Sequence, residues 1–138
     1  LRQSGRVLVP LAEELAFLAD FTALMRIRFG DAFDVCIHDD GADRASLLPP
    51  TALQLLVENA IKHNEVGEGR PLVVDVRLGV SSVIVEHERR PRRTVRASAG
   101  VGLPNLDERV RLASGKRIAI DEAGGRFAVT VPLAPGAA

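Results

Sequence analysis

The chain is poor in aromatic residues, with five Phe and neither Trp nor Tyr among 138 residues. Proteins that hold single-stranded nucleic acid stack its bases on such rings. None interleaves the densest run of arginines, residues 86–96, so recognition by stacking is not expected there. Net charge is missing too: 18 basic residues balance 18 acidic ones, which argues against a global footprint for nucleic acid or membrane and leaves room only for a local patch. A single cysteine, Cys36, rules out an internal disulfide and gives no sign of an oxidising compartment. Set in an apolar alternation, it is expected to be a small buried hydrophobe. No apolar run approaches the ~20 residues of a membrane-spanning helix, and no signal peptide is visible. Cys36, His38 and His87 lack the spacing of zinc ligands, and no Ser-His-Asp or Cys-His nucleophile arrangement can be argued. The chain opens on Leu1 and its only Met is Met25, so it is expected to be a piece of a longer protein, with room upstream for a sensor or membrane region about which this sequence is silent.

What is present is core material. The chain is 46% hydrophobic and 26% charged, the balance of a soluble globular domain. The spacing predicts a helix from about Pro10 to Phe29. Leu11, Leu15, Leu18 and Met25 form its stripe, widened by Phe17, Phe21 and Leu24, with acids in its first turn and Arg26 and Arg28 in its last. "AFDVCIHD" alternates as a strand, and a second helix is expected from about Thr51 to Asn64. "PLVVDVRLG" and "SSVIVEHE" read as a hairpin around Gly79–Ser82. "LPNLDERVRLASG" reads as a third helix, and "KRIAIDEAGGRFAVTVPLAP" as a closing hairpin across Ala123–Gly125. No internal repeat is present. This order predicts an α+β two-layer sandwich, with helices on one face of a mixed, mostly antiparallel sheet.

The second helix, "LQLLVENAIKHN", carries the chemistry. Leu53, Leu56, Val57, Ala60 and Ile61 mark one buried face. Its polar side holds Glu58, Asn59, Lys62 and His63, a carboxylate, an amide, an ammonium and an imidazole at helical spacing. A magnesium nucleotide needs a hard oxygen for the metal, cations for the phosphates and a carboxylate near the reacting atoms. Backbone N–H groups could come from "SAGVGLPNL", where Gly100 and Gly102 stand before a helix and let the backbone approach an anion. Each residue has a plainer reading. Glu58 and Lys62 would make an exposed ion pair, Asn59 a surface amide, His63 a cation at a helix C-terminus, and the glycines a turn.

Together these stretches resemble the GHKL ATPases, which comprise histidine kinases, gyrase-type topoisomerases, Hsp90 and MutL. "LQLLVENAIKHN" resembles their N box, and "SAGVGLPNLDERVRL" resembles the G2 box of sensor histidine kinases of the LytS type. "VPLAEELAFLADFTALMRIRFGD" is similar to the stretch those kinases carry before the N box, so the likeness runs from about Val9 to Leu133. The resemblance implies a Bergerat-type sandwich that binds ATP with Mg2+. Asn59 would be the metal ligand and Glu58 the catalytic carboxylate. Lys62 and His63 would face the phosphates, and Gly100 and Gly102 would wrap them, with Leu103 and Asn105 opening the next helix. Thr130, in the closing hairpin, would lie near the nucleotide.

The resemblance also implies that residues 1–30 are a linker and helix from the end of the phosphoacceptor and dimerisation region, and that residues 31–138 are the catalytic domain. The expected partners are phosphoacceptor helices upstream in the same protein, a response regulator and a second copy in a full-length homodimer. No contact with nucleic acid or membrane is expected from this piece, which would be cytoplasmic even if the whole protein is membrane-anchored. One motif departs from the family. Its Asp-x-Gly-x-Gly box, whose Asp reads the adenine amine, is replaced by "VIVEHERRPRR", which puts His87 at the Asp position with no glycines after it. That departure supports a rival reading, a kinase-derived binding module without chemistry. An anti-sigma-factor-like serine kinase on the same fold is a third. The arginines of residues 86–96 would be either a lid for phosphates or an acidic partner, or a solvated loop.

Overall fold

The computed structural model describes residues 7–64, 66, 69–89 and 102–136. In chain order the elements are β1 (Val9–Pro10), α1 (Leu11–Phe29), β2 (Phe33–Asp39), β3 (Leu47–Leu48), α2 (Ala52–His63), β4 (Leu72–Leu78), β5 (Ser82–Glu88), α3 (Gly102–Ser114), β6 (Ala119–Asp121) and β7 (Arg126–Pro132). Five strands form one sheet in the order β2-β4-β5-β7-β6, and β1 and β3 form a separate two-stranded pair. Only β2 and β4 run parallel in the large sheet; its other pairs are antiparallel. The mixed, mostly antiparallel sheet with helices on one face is therefore as expected. The β1–β3 pair was not foreseen, since two-residue strands carry no periodicity to read.

Strand alternation sets the two faces. Leu72, Val74, Val76 and Leu78 of β4, Val83 and Val85 of β5, and Val129 and Val131 of β7 point to the helices and are buried. They share one core with Leu11 and Leu18 of α1, Leu53, Leu56, Val57, Ala60 and Ile61 of α2, and Leu106 and Val110 of α3. Removing this aliphatic surface from water, at about 25 cal/mol per Å2, is the main favourable term in holding the layers together. Both foreseen hairpins form. Gly79 closes the first, its N–H donating to the Ser82 carbonyl at 2.9 Å. A Cβ there would sit 3.1 Å from that same oxygen, so only glycine fits without a shift.

Two expectations about burial fail. Phe17 and Leu24 do not widen the buried stripe of α1; both are exposed, as is Ile27, because the core takes the narrower arc of Leu11, Leu18 and half-buried Phe21 and Met25. Cys36 is not in the core. It is half-buried and paired in register with Asp75 on the face turned away from the helices. That open face carries charges: His38 Nε2 lies 2.9 Å from Asp75 Oδ1, Arg126 donates to Asp75 Oδ2 at 3.0 Å, and Arg77 pairs with Glu86.

Candidate functional site

Helix α2 begins where the backbone is most constrained. Pro49 and Pro50 precede it, and Thr51 sits at φ +63°, in the left-handed region that β-branched residues rarely adopt. Glu14 of α1 holds this start from across the fold. Its Oε2 accepts the Thr51 N–H at 2.7 Å and its Oε1 accepts the Leu53 N–H at 3.2 Å. These are donors that a helix N-terminus otherwise leaves unpaired. Glu14 is only 2% exposed, and burial holds its carboxyl above the ordinary value despite the N–H groups that pull the other way. From α3, the Arg109 guanidinium donates to the Pro50 carbonyl. The sequence reading assigned Glu14 to the first turn of its own helix. The missed signal was its place between Leu11 and Leu18, inside an apolar stripe.

Along α2, Leu55, Asn59, Lys62 and His63 fall on one side at i, i+4, i+7 and i+8. Leu55 marks where this side meets α3, since a Cβ on Gly102 would lie 3.6 Å from its Cδ2. Asn59 is therefore one helical turn, about 5–6 Å, along α2 from the residue that abuts the first residue of α3. Glu58 and Asn59 are half-buried and Lys62 is exposed. Glu58 and Lys62 form no ion pair with each other among the described residues, so the plain pairing is not what occupies them. Leu103 packs partly against the core, while Asn105 is exposed in the first turn of α3. Gly100 lies outside the described residues, as do residues 90–96 of the arginine-rich run.

The C-terminal end of α2 reaches His87 of β5. Asn64 is buried and its Nδ2 donates to the Ala60 carbonyl at 2.9 Å. His87 is 4% exposed. Its Nδ1 lies 2.9 Å from the Glu88 carbonyl and 3.5 Å from Asn64 Nδ2. A carbonyl can only accept, so in the shorter contact Nδ1 is the donor. The ring packs on Phe127 with centroids 5.6 Å apart. Thr130 is half-buried in β7, opposite Ile84. The approach of Asn64 to His87 spans 23 residues and leaves no local pattern in the sequence.

The elements that frame this site occur together in a known class of fold. The chain has the α+β sandwich of histidine-kinase catalytic domains. It superposes on the cytoplasmic segment of histidine kinase QseC with a TM-score of 0.63 at 18% identity, covering 94% of this chain and 78% of that one. The catalytic domain of histidine kinase ThkA in a nucleotide-free form gives 0.57 at 16% identity, covering 93% and 97%. In sequence the chain is homologous to sensor histidine kinases over part of its length. It is 37% identical over 68 residues to Sensor protein LytS of Staphylococcus haemolyticus, covering 49% of this chain and 12% of that protein. A sensor-like histidine kinase of Staphylococcus epidermidis is 30% identical over 122 residues, covering 78% of this chain and 24% of that protein. The chain thus spans between about an eighth and a quarter of these relatives' length. No family model matches it. Among the described residues, no helix is long and apolar enough to cross a membrane.

Proposed function

We propose that this chain is the ATP-binding catalytic part of a sensor histidine kinase. Residues 31–138 would form the catalytic domain, and residues 1–30 would join it to phosphoacceptor helices elsewhere in the protein. The observation that carries the reading is the approach of Gly102 to Leu55, one turn from Asn59. It brings the start of a 13-residue helix beside a polar stripe rich in the groups a metal-bound triphosphate needs.

The donor set fits ATP with Mg2+. Asn59 offers one hard oxygen, enough for an ion that keeps most of its water and takes its remaining ligands from phosphate. Magnesium, when bound, supplies charge neutralisation across the phosphates. Lys62, exposed on the same stripe, would attract phosphate charge, and the N–H groups of Gly102 and Leu103 in the first turn of α3 would offer further donors, with the exposed side-chain amide of Asn105 beside them. Glu58, beside Asn59, would orient the attacking imidazole of the acceptor histidine. Catalysis would then rest on positioning and electrostatics more than on covalent chemistry by this chain. Phosphate would pass from that histidine to a response regulator, and a second copy would complete the full-length protein.

His87 supports a second reading. By strand register the buried imidazole would take the place of the family's adenine-reading Asp, so a binding module that has lost nucleotide chemistry is the competing function. Calorimetric titration with ATP and Mg2+ separates the two. Saturable, magnesium-dependent binding that disappears in Asn59→Ala is expected; no binding at millimolar ATP would establish the module instead. With the phosphoacceptor segment joined to the chain, Glu58→Gln is expected to stop phosphotransfer while leaving nucleotide binding in place.

A further inference from the structure

The large sheet ends at β2. Its inner side pairs with β4, and among the described residues no strand pairs with its outer side. Backbone groups alternate between the two sides of a strand. The Asp40 N–H, just past the strand, donates to the Leu78 carbonyl of β4. The N–H and C=O groups of Asp34, Cys36 and His38 therefore serve β4, and those of Phe33, Val35, Ile37 and Asp39 face outward. In that outward row the Val35 N–H is held by a side chain, Asp34 Oδ1 at 2.8 Å. β2 carries neither Pro nor Lys, two of the devices that keep an edge from pairing. Ile37 is 46% exposed beside half-buried Val35.

An outward row of this kind can take another strand, and the order of residues in β2 selects which. When β2 is laid antiparallel on a second β2, outward-facing residues must oppose outward-facing ones for the ladder bonds to form. About Cys36, Val35 then pairs with Ile37 of the second copy and Phe33 with its Asp39. Asp34 stands opposite His38 twice, and Cys36 opposite Cys36. Acid against imidazole is a favourable cross-strand pair. Centred on Ile37, the same strands would set Asp34 against Asp40; centred on Val35, they would set Asp34 against Cys36 and His38 against Ala32. We propose that two copies of this chain join edge to edge through β2, about a twofold axis at Cys36, which makes one sheet of ten strands from two of five. The Ile37 carbonyl of the second copy takes the Val35 N–H from Asp34, and Asp34 turns to His38 of that copy. The Arg26–Asp34 pair that this disturbs is half-exposed, so its loss costs little. On the helix side, Val35 and Ile37 of the two copies cover one another. The edge contributes no residue of the polar stripe of α2, so this inference stands apart from nucleotide binding.

The first test is sedimentation velocity of the full chain as Cys36→Ser, which cannot crosslink, over a concentration series. A monomer–dimer equilibrium is expected. Ile37→Lys puts an ammonium into the edge, and Ile37→Pro removes an N–H that only the second copy uses. Each acts twice across the axis and should weaken the dimer at least about tenfold. The second test reads the register with copper–phenanthroline, which takes the two electrons of a thiol pair while the two protons pass to water. The unmodified chain should give a Cys36–Cys36 dimer on a non-reducing gel. Opposite residues of a non-hydrogen-bonded pair have Cα atoms about 4.5 Å apart, within the reach of a disulfide. In the Cys36→Ser background, a mixture of Asp34→Cys and His38→Cys chains should crosslink, whereas His38→Cys alone should not. A monomer at millimolar chain, a dimer that both Ile37 variants leave unchanged, or His38→Cys alone crosslinking as fast as the mixture would overturn the proposal.

Discussion

The two ends of α2 are built to opposite specifications. At the N-terminal end every group is committed. Glu14 takes the N–H groups of Thr51 and Leu53, Arg109 takes the Pro50 carbonyl, and Ala52 and Leu53 are fully buried. Toward the other end, one to two turns beyond the Leu55 that abuts the start of α3, the helix presents Asn59, exposed Lys62 and half-buried His63. The contrast shows how a rigid scaffold serves a polar site. The side chains at the C-terminal end hold their place because the other end cannot slide, and the cost of that anchoring falls on residues remote from any chemistry.

The contrast breaks most severely at Glu14. Glu14→Ala leaves two buried N–H groups without acceptors, which should cost about 2–4 kcal/mol of stability by urea denaturation. Glu14→Gln keeps one acceptor and should cost less. The same pair of variants reads out a pH effect. Burial raises the Glu14 carboxyl above its ordinary 4.5, so in the folded state it keeps its proton to higher pH than in the unfolded chain. Its contribution to stability is complete below 4.5 and is lost as pH rises through the raised value. Wild type should therefore lose stability over that interval, and Glu14→Gln should lack that part of the slope. An identical slope in the variant would show that the carboxyl is not held in this way.

Glu14 also shows where a sequence can and cannot be read. The helices and hairpins were legible because their apolar residues repeat at 3.6 and 2 residues, and the buried residues of α2 are those the spacing marked. The width of the α1 stripe was not, because periodicity marks which residues are apolar but not which partner surface is present; among the described residues Phe17 and Leu24 have no neighbour that buries them. The contact between Gly102 and Leu55, the Glu14 cap and the approach of Asn64 to His87 each join positions far apart in the chain, and no spacing rule records them. For the polar stripe of α2, the types and spacing of its residues could be read from the sequence; what lies opposite it could not.

Gly102, which abuts Leu55, and Lys62, at the far end of α2, sharpen the contrast. A methyl on Gly102 would meet Leu55 at 3.6 Å, ordinary van der Waals contact. Gly102→Ala should therefore leave stability unchanged or raise it by up to about 1 kcal/mol through helix propensity. Lys62→Ala, at an exposed position, should change stability by no more than about 0.5 kcal/mol. If this end of α2 faces a nucleotide, Lys62→Ala should weaken ATP binding by about tenfold, the loss of one charge-assisted contact. A Lys62→Ala chain that is as stable as wild type and binds ATP as tightly would remove the stripe from the site.

The smallest effect is expected on the open face of the sheet, which lacks both the anchoring and the site. There the Arg77 guanidinium, and after it Arg126, hold the Glu86 carboxyl below the ordinary carboxylate range against the opposing effect of burial. A lowered carboxyl contributes stability above its unfolded value of 4.5 that is lost as pH falls through the folded one. Glu86→Gln should cost only about 0.5–1 kcal/mol at neutral pH, because its partners remain in contact with water, and should flatten the acid limb of the stability profile. The limbs altered by Glu14 and Glu86 have opposite sign, so one pH series on the two Gln variants separates the anchored layer from the open face. An acid limb unchanged in Glu86→Gln would mean that the arginines of this face do not hold the carboxylate.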